Sequence, residues 1–329
     1  MNAFGKLFRV QIFGESHGES VGIVVDGCPA GLPLTADDML PDLERRKGGK
    51  QKGTTPRQEA DYPFIKSGVF NNTTTGFPIA IFFENNNTRS EDYNKQRSFP
   101  RPGHADWVAH QKFGGHEDYR GGGHFSARLT TGLVAAGAIA KKLVSQVTIA
   151  AAVTEIGGET DLEKGLQKAI DAKDSVGGIE CRVNGMPVGL GEPYFDSIES
   201  VLAHVLFTIP AVKGVEFGTG FGAAKMFGSQ HNDAIENMSG KTTTNHAGGI
   251  VGGISNGNDL IFRIAIKPTS STPKEQQSLN WDTQAVETFS IKGRHDLCVA
   301  LRAPVIVEAV TAIVLADFML QAQLIKRVV

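Results

Sequence analysis

Apolar residues follow two different patterns along the 329-residue chain. Short runs rich in valine, isoleucine and phenylalanine predict β-strands. They lie at 7–13, 21–25, 78–84, 147–153, 179–183, 212–217 and 260–267. Longer stretches with helical character predict helices. These lie at 105–113, 126–144, 162–172, 197–207 and 304–320.

One more helix is predicted between Thr35, a favourable N-cap residue, and Arg46. Pro41 lies inside this segment and predicts a break or a kink there. Two long polar stretches, 47–61 and 85–123, are predicted to be loops, apart from the helix at 105–113. Loops of this length in a compact protein are usually functional or disordered.

The two halves of the chain have similar outlines. Each half predicts several strands, one long helix and a large polar loop region, which indicates an α/β protein with an internal repeat of structure. The last helix is interrupted by Glu308 and Asp317, so a buried core helix is expected in preference to a membrane span. No change of composition marks a linker, and one domain over residues 1–329 is therefore expected.

Composition narrows the class of protein. With 40% hydrophobic and 21% charged residues, the chain is too apolar for intrinsic disorder. A net charge of −2 does not favour a nucleic-acid or membrane-surface binder. The three cysteines form no C-x-x-C pair and no signal-peptide pattern is present, so a cytoplasmic location is expected. The 39 glycines predict tight turns or backbone that approaches a ligand.

Three familiar signatures are incomplete in this chain. The run 218–223 reads G-T-G-F-G-A, but no helix or later acidic residue accompanies it, which disfavours a dinucleotide site. The G-K-T at 240–242 lacks the earlier glycine of a P-loop, because position 235 is isoleucine. The histidines at 104, 110 and 116 do not share a helical face, and no metal site is predicted.

The first motif whose side chains could take part in catalysis is F-G-E-S-H-G at 13–18, where a predicted strand ends. Its glycines allow a sharp turn that presents His17. Histidine is the side chain best suited to proton transfer near neutral pH. A capped turn with a solvated histidine explains the motif about as well.

A second cluster comprises R-P-G-H-A-D at 101–106 and the stretch 118–128. Three glycines, 121–123, lead into the long helix, for which Ser126 is the predicted N-cap. Free N–H groups at a helix N-terminus favour an anion such as phosphate. A flexible connector is the alternative, which the nearby arginines disfavour.

A third cluster is formed by K-P-T-S-S at 267–271 and K-G-R-H-D at 292–296. Lysine and hydroxyl side chains at a strand end suit a phosphate, although a solvated turn would look similar. Together the three clusters concentrate cations and four histidines in a chain that is almost neutral. This concentration indicates a local basic site for a small polyanionic ligand.

Six motifs occur in the same order as in one known family. They are F-G-E-S-H-G, R-P-G-H-A-D, D-Y-R-G-G-G before S-A-R, N-H-A-G-G-I, K-P-T-S-S and G-R-H-D. From residue 5 to about 316 the chain closely resembles the chorismate synthase family. The resemblance implies a β-α-β sandwich with central helices between two antiparallel sheets, two pseudo-repeated halves, and a homotetramer.

The resemblance also implies a lyase of the shikimate pathway, which leads to the aromatic amino acids. The family converts 5-enolpyruvylshikimate 3-phosphate into chorismate by anti-1,4 elimination of phosphate and a ring hydrogen. It requires reduced FMN (FMNH2), although the reaction has no net redox change. An FMN-dependent oxidoreductase or flavin reductase is the alternative activity. A third possibility, a polyanion binder that uses the basic loop 47–57, is disfavoured by the near-neutral charge.

Residue roles follow from the resemblance alone. His17 is expected to protonate the departing phosphate and His104 the reduced flavin near N1, whereas Asp296 helps to relay the substrate proton by way of flavin N5. The positions matching FMN contacts are His124, Phe125, Ser126, Pro210, Ala211, Gly252, Lys267, Pro268, Thr269, Ser270, Ser271 and Arg294. The positions expected to bind substrate are Ser16, Arg46, Arg57, Arg101 and Arg128. No metal is expected.

Three positions depart from the family pattern. Many members have Arg-Ser-Ser where this chain has His124-Phe125-Ser126, and Pro210 stands where others have asparagine. Lys52 stands where an arginine implicated in NADP contact can occur. No extra domain is apparent, so a separate flavin reductase is expected to reduce the flavin. NADPH would then be at most an indirect source of electrons.

Overall fold

The computed structural model describes residues 2–49, 52–55, 59–87, 98–172, 177–291 and 296–329. The α-helices in this part of the chain are α1 (Leu40–Arg46), α2 (Asp106–Phe113), α3 (Thr130–Leu143), α4 (Leu162–Ala172), α5 (Ile198–Leu206), α6 (Gly228–His231) and α7 (Pro304–Gln321). Short 3-10 helices are Ala36–Asp38, Arg120–Phe125, Ala127–Leu129, Tyr194–Asp196, Gly220–Lys225 and Val299–Arg302.

The first half of the chain forms an antiparallel sheet of five strands. Its strands and an adjoining hairpin are β1 (Ala3–Phe4), β2 (Arg9–Gly14), β3 (Ser20–Asp26), β4 (Phe64–Ile65), β5 (Val69–Phe70), β6 (Thr73–Thr74) and β7 (Ile79–Glu84). The order in the sheet is β1-β2-β3-β7-β4, and β5 pairs with β6 separately. Alternate residues of β7 are buried, as expected for a sheet with one face on the core.

The second half forms an antiparallel sheet of four strands, in the order β10-β13-β9-β8. The strands of this half are β8 (Thr148–Ile156), β9 (Gly177–Asn184), β10 (Val212–Phe217), β11 (Ile250–Val251), β12 (Ile254–Ser255), β13 (Leu260–Ile266), β14 (Gln276–Asn280) and β15 (Ala285–Phe289). The pairs β11–β12 and β14–β15 form separate two-stranded hairpins.

Two long helices fill the space between the sheets. Helix α3 packs against the first sheet, α7 packs against the second, and the two helices pack on each other. Their closest approach is at Gly137, where a Cβ atom would lie 2.3 Å from Cβ of Ala309. Helix α7 is apolar and long enough to cross a membrane, but most of it is buried in the protein. The predicted core helix and the sandwich of helices between antiparallel sheets are therefore confirmed.

The sequence predicted most elements within a few residues of their bounds. Pro41 occupies the first turn of α1, so the break falls before the proline and a 3-10 turn, Ala36–Asp38, precedes it. The sequence predicted no strand after 260–267, but β14 and β15 lie there. That hairpin was missed because most of its side chains are polar or exposed, which leaves no apolar period to detect.

Candidate active site

A cavity of about 510 Å³ opens where loops from both halves of the chain meet. Such a volume is typical of small-molecule sites. It lies beside Ser16 after β2, the end of α1, the turn before α2, the glycine-rich stretch before α3, and the segments that follow β13 and precede α7. Residues that the sequence scatters over almost 290 positions therefore share one concave surface.

Cations outnumber anions on the described wall of this cavity. The cationic side chains are Arg46, Lys47, Arg101, Arg128, Lys267 and Arg302, whereas the acidic ones are Glu59, Asp61 and Asp296. Burial, together with the charges of Arg128 and Arg302, lowers the pKa of Arg46 to about 10, although Asp61 acts in the opposite direction. Because six cationic side chains face three acidic ones on this described wall, an anionic ligand would balance its charge.

Asp61 joins two buried arginines at the floor of the cavity. Its Oδ2 accepts a hydrogen bond from Arg46 Nη2 at 3.0 Å, and its Oδ1 accepts one from Arg128 Nη1. Burial acts to raise the pKa of Asp61, but the two arginines hold it below its ordinary value. Asp61 has φ of 50°, a left-handed conformation that is uncommon for residues other than glycine. Such conformations cluster at functional sites.

Arg101, His104 and Asp106 form a second charged group at the turn before α2. Asp106 accepts hydrogen bonds from Arg101 Nε at 2.7 Å, from Arg101 Nη2 at 2.8 Å, and from the Arg101 backbone N–H at 3.0 Å. His104 Nδ1 lies 2.6 Å from Asp106 Oδ1. Arg101 Nη1 also donates to Ser271 Oγ at 3.2 Å, which ties this turn to the segment after β13.

The glycine-rich stretch shapes the backbone beside His17. Gly121, Gly122 and Gly123 all have positive φ, and a Cβ atom on Gly121 would lie 2.3 Å from Nδ1 of His17. The carbonyl of Gly123 accepts the Ser16 N–H at 3.1 Å. Ser126 Oγ accepts the Arg128 N–H at 3.3 Å, so Ser126 caps the 3-10 turn Ala127–Leu129 and not α3 itself, whose N-cap is Leu129. Only glycine allows this close approach to the histidine ring.

The segment 267–271 supplies hydrogen-bond donors to the cavity. Lys267 Nζ lies 2.7 Å from Ser270 Oγ, which donates to the Gly103 carbonyl at 2.8 Å. Burial and the neighbouring Lys213 lower the pKa of Lys267. Thr269 Oγ1 and Arg46 Nε are buried without a partner among the described residues. Unpartnered buried donors in a cavity indicate a polar ligand, and a phosphorylated cofactor fits them.

Asp296 and Arg302 close the remaining side of the cavity. Arg302 Nε donates to Asp296 Oδ1 at 3.0 Å, and the Thr55 backbone N–H donates to the same oxygen at 2.9 Å. A second Arg302 nitrogen, Nη2, pairs with Asp296 Oδ2. Arg302 Nη1 also donates to the Arg46 carbonyl at 3.2 Å. The carboxylate of Asp296 is therefore held in one orientation from two sides.

Most residues that the sequence singled out meet at this cavity. The lining includes Ser16, Arg46, Arg101, His104, His124, Phe125, Ser126, Arg128, Pro210, Ala211, Lys267, Pro268, Thr269, Ser270, Ser271 and Asp296. His17 does not line it, but lies behind Ser16 with Nδ1 3.2 Å from Ser16 Oγ. Gly252 is in the turn between β11 and β12, away from the described lining. Arg57 and Arg294 lie outside the described residues.

Sequence reasoning did not assign four charged residues of the cavity wall, Lys47, Glu59, Asp61 and Arg302, and two of them, Asp61 and Arg302, make the ion pairs described above. Asp61 ends the polar stretch 47–61, and its arginine partners are 15 and 67 positions away. Arg302 lies in a 3-10 turn outside the recognised motifs. In the sequence, Asp61 is one acidic residue in a basic loop and Arg302 is a lone arginine before an apolar helix. Both patterns are too common to identify a site.

The fold and the cationic cavity together fit a protein that binds a small anionic molecule. The chorismate synthase family model matches residues 8–320. A chorismate synthase of Chitinophaga pinensis is 67% identical to this chain, covering 100% of it and 99% of that protein. One from Dehalococcoides mccartyi is 46% identical over the same shares of the two chains.

A solved structure gives the same result. A crystal structure of chorismate synthase is similar to this one with a TM-score of 0.73 and 27% identity, over 97% of this chain and 93% of the other. The chain belongs to the chorismate synthase family. The resemblance seen in the sequence is thus confirmed, and so is the enzyme class, a carbon-oxygen lyase.

Proposed function

We propose that this protein converts 5-enolpyruvylshikimate 3-phosphate into chorismate by anti-1,4 elimination of phosphate and a ring proton. The reaction would serve the shikimate pathway and hence the synthesis of aromatic amino acids. The observation that carries the proposal is the excess of cationic over acidic side chains on the cavity wall around Arg46, whose Nε is buried without a partner among the described residues. A substrate with a phosphate and carboxylates supplies the missing negative charge.

The arginines bind the anionic groups of the substrate. Arg101 and Arg128 are held by Asp106 and Asp61, so their guanidinium groups meet the substrate in fixed orientations. Because Asp106 occupies the Nε–Nη2 edge of Arg101, we propose that the remaining Nη hydrogens of these arginines reach the carboxylate or phosphate. Arg46 contributes Nε, which has no partner among the described residues. Ser16 and Arg57 complete the proposed set of substrate ligands.

Reduced FMN is the proposed cofactor, and Thr269 Oγ1, which is buried without a partner among the described residues, fits its phosphate or polar ring. Lys267, Pro268, Thr269, Ser270 and Ser271 would hold it together with His124, Phe125, Ser126, Pro210 and Ala211. When bound, the reduced flavin supplies electron density that stabilises the electron-poor carbon formed as phosphate leaves. Gly252 and Arg294 remain proposed contacts.

Three side chains handle protons in this proposal. His17 donates towards the leaving phosphate by way of Ser16, a cavity residue whose Oγ is 3.2 Å from its Nδ1. His104 holds a proton at the cavity wall beside Asp106. Asp296 takes part in the transfer of the ring proton, in the orientation fixed by Arg302 and Thr55.

The assembly and the electron source belong to the same proposal. We propose a cytoplasmic homotetramer of one-domain subunits. Several large apolar side chains of the described second half are at least 78% exposed, which supports burial against another subunit. They are Tyr194, Phe195, Phe221, Phe227 and Met238. A separate flavin reductase is proposed to supply FMNH2, with NADPH acting only through that partner.

An anaerobic assay tests the proposed function. The full-length protein is incubated with 5-enolpyruvylshikimate 3-phosphate and chemically reduced FMN, and both phosphate and chorismate are measured. We expect equal amounts of the two products and none when reduced FMN is omitted. Absence of product with active reductant would refute the lyase. Replacement of the reductant by NADPH and oxidised FMN should give no turnover, whereas NADPH oxidation without substrate would indicate a flavin reductase.

A further inference from the structure

We infer that Asp106 is a positioning residue that fixes the tautomer of His104, so that Nδ1 carries a proton and Nε2 is the nitrogen that gains and loses one. This inference rests on the proposed function for its kinetic consequence. Its structural part, the tautomer of His104, stands on the geometry of the turn before α2.

The distances identify Asp106 as the partner of His104 Nδ1. Oδ1 of Asp106 is 2.6 Å from this nitrogen, while Nη2 of Arg101 is 3.0 Å away. A carboxylate oxygen so close to an unprotonated nitrogen would place two lone pairs against each other. With a proton on Nδ1, His104 donates to Asp106, and Arg101 Nη2 still donates to the same oxygen at 2.8 Å.

Asp106 remains an anion in this environment. Burial acts to raise its pKa, but hydrogen bonds from Arg101 and His104 outweigh burial and lower the pKa well below its ordinary range. A permanent carboxylate at Nδ1 stabilises the imidazolium that forms when Nε2 is protonated. It therefore keeps a proton on Nδ1 and leaves Nε2 as the exchanging nitrogen, without itself exchanging a proton.

The backbone gives the pair little freedom to rearrange. His104 N–H donates to the Arg101 carbonyl at 3.1 Å, and Asp106 is the first residue of α2. Asp106 also accepts the Arg101 backbone N–H, which closes the turn on itself. On the far side of the ring, a Cβ atom on Gly122 would lie 3.1 Å from His104 Cε1 and 3.3 Å from Nε2. The ring is thus confined between Asp106 and the glycine-rich stretch.

Asp106→Asn tests this arrangement, because an amide cannot accept from both His104 and Arg101 with the same two atoms. A double-mutant cycle separates the action through His104 from any loss at Arg101. If Asp106 acts through His104, Asp106→Asn should lower kcat roughly 10²-fold in the wild-type background, at the lower end of what a general acid contributes. In the His104→Ala background it should change kcat less than about 2-fold.

The matched control is Glu216→Gln. Glu216 pairs with Arg263 Nε at 2.8 Å and accepts a backbone N–H, from Phe221 at 3.1 Å, as Asp106 does from Arg101. It does not line the cavity in the described chain. Its replacement should leave kcat within about 2-fold of wild type. An equal loss in both backgrounds, or a loss confined to KM, would show that Asp106 serves only Arg101 and would overturn the inference.

The tautomer is measured directly by ¹⁵N NMR of the imidazole nitrogens in the full-length protein, with His104 assigned by its loss in His104→Ala. We expect a protonated Nδ1 in the wild-type protein and a shift towards protonated Nε2 in Asp106→Asn. A wild-type His104 protonated at Nε2 alone would refute the inference even if the variants did not fold. Failure of the wild-type protein to form chorismate would instead refute the proposed function.

Discussion

Arg45 and Arg46 are neighbours at the end of α1 and have opposite electrostatic surroundings. Hydrogen bonds and the charge of Glu308 raise the pKa of Arg45, whereas burial and two nearby arginines lower that of Arg46 to about 10. One side chain points to an ion cluster between helices, and the other points to the cavity. Two adjacent residues of one helix thus belong to two charged groups with different surroundings.

The helix cluster is balanced in charge. Glu308 accepts hydrogen bonds from Arg45 Nη1 and Nη2, both at 2.7 Å, and from Lys141 Nζ at 2.9 Å. Lys141 also pairs with Asp42 at 2.7 Å, so two cations meet two anions. The cavity group is unbalanced, because Asp61 alone lies between Arg46 and Arg128. The difference between the two groups is therefore one of charge balance, because the cavity group has an excess of buried positive charge that an anionic ligand would balance.

The largest expected effects concern turnover at the cavity. His17→Ala and His104→Ala should each lower kcat by roughly 10²–10⁴-fold, because each removes a proton donor. Steady-state kinetics under anaerobic conditions with reduced FMN would measure this. Turnover near the wild-type value in both variants would show that the proton donors are assigned wrongly.

Asp61→Asn is expected to lower the free energy of unfolding by about 3–5 kcal/mol, because it leaves Arg46 and Arg128 buried without their shared anion. Denaturant unfolding with and without inorganic phosphate measures the effect. Phosphate should restore more stability to this variant than to the wild-type protein, since it replaces the missing charge. No difference in the phosphate response would contradict the account of an anion-binding cavity.

Glu308→Gln should have a smaller effect on stability, about 2 kcal/mol, because Arg45 and Lys141 keep contact with water when the carboxylate is lost. The same unfolding experiment applies. Phosphate should add no more stability than it adds to wild type. An excess phosphate response here, equal to that of Asp61→Asn, would abolish the distinction between the two groups.

A fall in pH should lower the free energy of unfolding through both charged groups. The pKa values of Asp61 and Glu308 are lowered in the folded protein, since arginine and lysine partners outweigh burial. Their contribution to stability is therefore complete above the unfolded pKa, near 4, and is lost as pH falls through the folded value. Each group adds a slope of at most about 1.4 kcal/mol per pH unit. Unfolding between pH 5 and pH 2 should be less pH-dependent in Asp61→Asn, and an unchanged slope would refute the Asp61 ion pair.

The sequence could predict elements whose apolar residues recur at a regular spacing. Helix α4 and strand β10 begin and end where their apolar patterns do. The β14–β15 hairpin could not be found this way, because hydrogen bonds between polar strands hold it and no buried face leaves a pattern. An apolar period arises when one face of an element is buried. Elements without a buried face therefore cannot be predicted from it.

The sequence could predict those residues of the site that belong to short contiguous motifs. The stretches 13–18, 101–106 and 267–271 meet at one cavity as expected. Asp61 and Arg302 were missed because their roles arise from partners that the fold brings near from distant positions. The placement of His17 behind Ser16 is also a property of packing, since it depends on the close approach of Gly121.

The most direct measurement of the central claim is kcat/KM for 5-enolpyruvylshikimate 3-phosphate in Arg45→Lys and Arg46→Lys, assayed anaerobically with reduced FMN. Lysine keeps the charge but loses the guanidinium fork in both variants. We predict a loss of roughly 10²-fold for Arg46→Lys, within the range for a disrupted buried charge contact, and less than about 2-fold for Arg45→Lys. Equal losses in both variants, or a loss in Arg45→Lys alone, would contradict the assignment of the cavity as the substrate site.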